Sequence, residues 1–87
     1  MVIEHFRAGQ AVEVYRRFRE RGRMAPEGVE YIDSWVDLEF QRCFQIMEAA
    51  SEDHLRAWTA NWEDLVDFEI VPVRTSAEAA AVISPRL

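Results

Sequence analysis

Apolar and polar positions follow two rhythms along this chain, and the switches between them mark its elements. Met1 to Arg7 is a short apolar run with Val2, Ile3 and Phe6, closed by Gly9, and it predicts a strand. From residue 10 to 24 the spacing becomes helical. Ala11, Val14, Tyr15 and Phe18 fall at i, i+3, i+4 and i+7 and make one apolar stripe. On the opposite side Glu13 and Arg17, like Arg16 and Glu20, stand four apart and are expected to pair. Gly22 and Pro26 end this helix, and arginines fill its last turn, where the helix dipole favours cations.

Val29 to Leu38 and Gln41 to Ala49 are rich in β-branched and aromatic residues and predict an antiparallel hairpin, with Glu39 and Phe40 in the connection. Neither Asn-Gly nor Asp-Gly marks the turn, so its register is open by a residue. Ser51 is a good N-cap with Glu52 and Asp53 in the first turn, and Leu55, Trp58, Thr59 and Trp62 repeat at helical spacing behind it. Val66 to Val73 alternates Val66, Phe68 and Ile70 with Asp67, Glu69 and Val71, a strand with one acidic side. Thr75 and Glu78 form a capping-box pair ahead of a short terminal helix, Ala79 to Ile83, which Pro85 ends. The order β-α-β-β-α-β plus a tail helix is the α+β, ferredoxin-like arrangement: a four-stranded antiparallel sheet with two helices on one face. Residues 1–87 read as one such domain, without repeat or linker.

Two helical stripes cover only one face of a sheet, so the composition of the other face matters. Pairing about residues 39 and 40 sets Asp37 opposite Arg42, Trp35 opposite Phe44, Asp33 opposite Ile46 and Tyr31 opposite Glu48. The alternate set, Ile32, Ser34, Val36, Cys43, Gln45 and Met47, carries no charge and is expected beneath the helices, where unpaired charge is costly. The first set mixes large aromatics with acids. Such a face calls for a partner sheet packed against it with a pocket between, and a symmetric homodimer supplies one.

Composition narrows the chemistry. Apolar residues make up 49% of the chain and charged ones 30%, a balance that folds. All ten basic residues are arginines, which excludes a phosphate loop ending in Gly-Lys and any lysine Schiff base. Cys43 is the only cysteine, so an internal disulfide and a multi-cysteine metal site are excluded, and no metal or cofactor is expected. Cys43 itself reads as buried and inert, with no adjacent cation to lower its pKa. The net charge of −6 divides unevenly, with +3 on residues 1–24 and −9 on residues 25–87. Arg16, Arg17, Arg19, Arg21 and Arg23 interleave with Tyr15 and Phe18, yet overall acidity argues against nucleic acid. A solvated helix face, or a patch that holds acids of a second protomer, is the expectation. With neither a signal-peptide pattern nor an apolar stretch of membrane-spanning length, the expected setting is cytoplasmic and away from membranes.

The runs VYRRFRERGRMAPEG, YIDSWVD, RCFQIMEA and WTANWEDLVDFEIVPVRTSAEAAA resemble the bacterial domain of unknown function family 3303, within the dimeric α/β barrel group. The similarity spans essentially the whole chain, and its best signatures are RGRMAPEG, DSWV and W-x-D-L-V-x-F-E-x-x-P-V. The resemblance implies a ferredoxin-like protomer whose sheets pair into a barrel-like dimer, and it implies no settled activity. Relatives by fold include cofactor-free monooxygenases, haem-degrading enzymes and small isomerases, among which fold analogy does not choose.

For catalysis the candidates are Glu48, Asp33 and His5. Glu4, Asp33 and Glu48 are expected to project into one inter-sheet space, where an apolar setting raises a carboxyl pKa and suits it to acid or base work. The competing reading pairs these acids with Arg42 or the arginine cluster. His5 is the natural acid–base side chain near neutral pH, although Glu4 and Phe6 point to the face opposite it and cannot orient it. A surface or structural histidine is the plainer reading, and neither histidine has the context of a haem ligand. His54 follows Glu52 and Asp53 directly, so the three fan around a helix instead of converging on a metal. Tyr31, Trp35, Glu4 and Phe44 are the candidates for holding a small apolar or aromatic ligand, while Trp58 and Trp62 read as core. Two functions fit. One is a homodimeric small-molecule-binding protein with a pocket between sheet and helices, whose enzymatic form would be a cofactor-independent oxygenase or isomerase. The other is a non-enzymatic dimeric interaction or assembly module.

Overall fold

The two rhythms fold into the elements they predict. In the computed structural model, which describes all residues from Met1 to Leu87, these are β1 (Val2–Phe6), α1 (Ala11–Arg21), β2 (Val29–Val36), β3 (Arg42–Ala49), α2 (Glu52–Thr59), β4 (Val66–Ile70) and α3 (Ser76–Ile83), followed by a single 3-10 turn, Ser84–Arg86. The strands lie side by side in the order β2-β3-β1-β4, every neighbouring pair antiparallel. This is the ferredoxin-like order, with β1 and β3 at the centre.

Strand alternation sorts the sheet into two faces. Val2, Glu4, Cys43, Gln45, Met47 and Val66 are buried under the helices. Ile3, His5, Phe44, Ile46, Asp67 and Glu69 alternate with them on the uncovered face. The core joins Val2, Val14, Val29, Met47, Trp58, Trp62, Leu65 and Val66, with Trp58 tilted against Phe68 at 6.0 Å between ring centres. Each large side chain buried here contributes about 1.5–3 kcal/mol. The helix α2 stops at Thr59, short of Trp62, and consecutive turns carry the chain on through hydrogen bonds from Trp62 N to Thr59 O (2.9 Å) and Leu65 N to Trp62 O (2.9 Å). Helical spacing persists through these turns, which is why the indole of Trp62 still reaches the core.

The hairpin between β2 and β3 has the register expected and a wider turn. Asp37 closes it. Its N–H donates to Arg42 O at 3.0 Å, and its Oδ1 accepts from the N–H groups of Gln41 (2.7 Å) and Arg42 (3.2 Å). Phe40 takes a left-handed conformation at φ 54° to let the chain return. Trp35 lies opposite Phe44, Asp33 opposite Ile46 and Ser34 opposite Gln45. Beyond Asp33 the pairing departs from expectation, because a β-bulge at Ile32 leaves that residue unpaired and puts Tyr31 opposite Met47 rather than Glu48. One inserted residue reverses the facing of everything before it. Tyr31 therefore belongs to the helix-covered face, and Glu48 lies opposite Glu30 near the far end of the hairpin.

Charge pairs on α1 also differ from simple four-residue spacing. Arg16 bonds Glu13, one turn back, and Arg17 turns away to Asp64, holding its carboxylate through two bonds of 2.8 and 2.6 Å. The same guanidinium donates to Asn61 O at 2.9 Å and stands 5.6 Å from the ring centre of Trp62. These contacts tie α1 to the turns after α2. At the other end of the chain β4 stops at Ile70, since Pro72 has no N–H to offer a ladder. Thr75 caps α3, accepting from Glu78 N–H and donating to Glu78 Oε1, both at 3.1 Å. Every residue from Val71 to Leu87 is exposed, and α3 makes no substantial packing with the sheet or the other helices. This arm raises the radius of gyration to 14.9 Å, against about 12 Å for a compact chain of this length.

Candidate functional site

The apolar stripe of α1 does not close onto the sheet. Val14 is buried, but Tyr15 and Phe18 each remain 42% exposed. Beneath them lies a cavity of about 100 Å³, bounded by Phe6, Tyr15, Phe18, Val36, Trp58 and Trp62 and floored by Glu4, Cys43 and Gln45. Edge-on contacts from Phe6 to Tyr15 (6.4 Å) and from Tyr15 to Phe40 (6.1 Å) fix the aromatic rim. The sheet supplies the polar floor through its register: Glu4 on β1 lies directly opposite Cys43 on β3, and Gln45 sits two residues further along the same face. A carboxyl group is an unusual tenant of a covered sheet face, where only 8% of Glu4 is accessible.

Arg23 overhangs this floor, and the reason it does so is local. Gly22, at φ 68°, ends α1, and Met24 is also left-handed at φ 58°. The backbone between them is then pinned from α2 and the turn beyond it. The indole N–H groups of Trp58 (2.9 Å) and Trp62 (3.1 Å) both donate to Arg23 O, and Asn61 Nδ2 donates to Met24 O at 3.2 Å. The RGRM segment and the W-x-x-N-W segment thus meet in space. So held, the guanidinium of Arg23 has its Cζ 3.5 Å from the ring centre of Tyr31 and 5.1 Å from that of Phe18. Its Nε donates to Gln45 Oε1 at 3.0 Å, and Gln45 Nε2 donates in turn to Glu4 Oε2 at 3.4 Å. Tyr31 completes the cluster through a 2.8 Å bond between its hydroxyl and that of Ser34.

Burial governs the electrostatics. It pushes the Glu4 carboxyl above its ordinary value, against the opposing pull of the Cys43 thiol and the Arg23 charge. Burial likewise pushes the Cys43 thiol up to about 12, aided by the negative charge and hydrogen bonding of Glu4. The Tyr15 hydroxyl is raised for the same first reason, with Cys43 and Glu4 adding to it. Burial thus shifts all three acids the same way, toward the protonated form, around the one cation Arg23.

Of the residues expected to act together, this cavity gathers Glu4 on its floor and Tyr31 beside it. Glu4 does not share a space with Asp33 and Glu48, because β1 turns it toward the helices. Trp35, Phe44 and Asp33 lie on the uncovered face, and Trp35 is 56% exposed there. Asp33 Oδ1 accepts from the neighbouring Ser34 N–H at 2.8 Å. His5, on the uncovered face, is 3.4 Å from Glu69. Sequence reasoning left out Arg23, Cys43 and Gln45. A signal existed for two of them: Arg23 follows the glycine that ends the helix, so it was never on the helix face with the other arginines, and Gln45 is the one long polar side chain in the set expected beneath the helices. Nowhere do three His, Cys, Asp or Glu side chains gather as a metal-binding group. No helix is long and apolar enough to cross a membrane.

A four-stranded antiparallel sheet in this order, with its helices on one face and a half-open cavity between the layers, defines an α+β protein of the ferredoxin-like class. Within that class the chain belongs to the domain of unknown function family DUF3303, whose model matches residues 1–87. No curated protein and no solved structure matches it.

Proposed function

We propose that this protein binds a small organic molecule in the cavity beneath α1 and works as a homodimer. The observation that carries the reading is the unclosed stripe of α1, whose half-exposed Tyr15 and Phe18 stand over a buried Glu4, Cys43 and Gln45. A mostly apolar hollow with a few convergent polar groups is the usual form of a ligand site. A carboxyl whose pKa burial raises, as at Glu4, is also better suited to pass a proton to or from a bound molecule. This would make Glu4, rather than Asp33, Glu48 or His5, the acid–base group of any isomerase- or oxygenase-like reaction.

A second reading, a non-enzymatic dimeric module, draws its support from the uncovered sheet face, where Trp35 and Phe44 pair side by side beside Ile46, and from the unpacked arm after Ile70. Native mass spectrometry of the purified protein separates the two. Two subunits carrying a retained small molecule, which Val36→Phe expels by filling the cavity, support the ligand-binding reading. Two subunits without one, reduced to one by Trp35→Glu, favour the module. A monomer in the wild type refutes the homodimer.

A further inference from the structure

Arginines at half-buried positions are expensive to desolvate and normally hold a carboxylate. Arg17 obeys this, gripping Asp64 through both Nη atoms. Arg23 is the other half-buried arginine, and no carboxylate lies within 4.0 Å of it. Its Nε is spent on Gln45, while its Nη donors have no acceptor in the protein. Two aromatic rings and a doubly bonded backbone carbonyl hold it in place at the wall of the cavity.

We infer that the cavity takes a small planar carboxylate, an aromatic or conjugated monoacid, with its anionic end on the Nη groups of Arg23 and its flat body against the rings of Phe18, Tyr15 and the two indoles. The inference rests on the ligand-binding reading above and names the class of ligand. Size sets how the ligand lies: about 100 Å³ is two-thirds of the ~150 Å³ hole that takes up a benzene ring, so the ring enters only in part and the rest of the molecule lies against the half-exposed Tyr15 and Phe18. Charge agrees. Gln45 stands between Arg23 and Glu4, so no carboxylate competes at the guanidinium, and burial disfavours the charged forms of both Glu4 and Cys43. The fork of a guanidinium matches two carboxylate oxygens better than it matches an alcohol or a carbonyl.

The test compares benzoate, benzyl alcohol and benzylammonium by amide chemical-shift titration of the wild type and of Arg23→Gln. We expect benzoate to bind at least about tenfold more tightly than benzyl alcohol, and Arg23→Gln to cut that preference to less than about twofold. Equal binding of benzoate and benzyl alcohol overturns the anion assignment and leaves the cavity as a ligand site. Preference for benzylammonium overturns it too and shifts the recognition to Glu4. Binding of none of the three overturns both readings. If Arg23→Gln does not fold, the wild-type comparison decides alone, with Val36→Phe abolishing benzoate shifts if they arise in this cavity.

Discussion

Trp58 and Trp62 donate to the same carbonyl oxygen, that of Arg23, and this sharing makes a quantitative prediction. Replacing either one by phenylalanine deletes one N–H···O bond but leaves the carbonyl satisfied by the other indole. The net loss of such a bond is about 1 kcal/mol, and the smaller ring leaves a void that costs roughly another 1 kcal/mol in a site this buried. Each single variant should therefore lose about 2 kcal/mol, a fall in Tm of about 10 °C for a domain of this size. The double variant strands the carbonyl, and an orphaned acceptor costs about 1–2 kcal/mol beyond the sum of the singles. Urea unfolding followed by far-UV circular dichroism measures all four corners of the cycle, with trimethylamine N-oxide added if the double variant needs support. Additivity within about 0.5 kcal/mol would refute the shared-acceptor account, and with it the claim that the indoles, through Arg23 O, position the guanidinium over the cavity.

Three further outcomes are expected. Glu4 has a raised folded-state pKa, so its contribution to stability is full below the unfolded value and is lost as pH rises through the folded one; Glu4→Gln should remove that loss, which urea midpoints between pH 4 and 8 would reveal as a flatter profile. The Cys43 thiol, at about 12 against an ordinary 9.0, should react with a disulfide reagent at least about 30-fold more slowly than a free thiol, the scarcer thiolate being partly offset by its greater nucleophilicity, until denaturant exposes it, and fast labelling of the native protein would contradict its burial. Deleting Ile32 removes the bulge while every pair from Val29 to Val36 is kept, so the variant should fold with a change in stability within about 1 kcal/mol, whereas deleting Ser34 closes the bulge only by moving Asp33 to the covered face opposite Gln45 and should cost at least about 2 kcal/mol in urea unfolding.

The fold was legible because its periodicities are long and unmixed. Val2, Val66 and the alternating Cys43, Gln45 and Met47 announce their buried face, and the Asp37 to Arg42 turn keeps the register that pairing about residues 39 and 40 requires. The site was less legible, for two physical reasons. A single inserted residue at Ile32 reverses Tyr31, and nothing in a β-branched run distinguishes the residue that will bulge. Glu4 sits at a parity that a strand of five residues cannot settle by composition, and desolvation of its carboxyl is offset by partners from distant parts of the chain, Cys43, Gln45 and Arg23. Arg23 is the sharpest case. Its role depends on two tryptophans nearly forty residues away, which local spacing reads correctly as core and cannot connect to the arginine.

The bulge at Ile32 has a bearing on how molecules of this protein can meet. β2 runs along an outer margin of the sheet, and a regular eight-residue strand there would offer a row of free N–H and C=O groups on which another chain could continue the sheet without limit. The unpaired residue breaks that row in the middle of the strand. The opposite margin, β4, is only five residues long and carries Asp67 and Glu69, whose charges repel a second copy aligned beside them. Open-ended growth by strand addition is thereby disfavoured at both margins, which leaves the broad face around Trp35 and Phe44 as the surface on which the proposed homodimer would have to close.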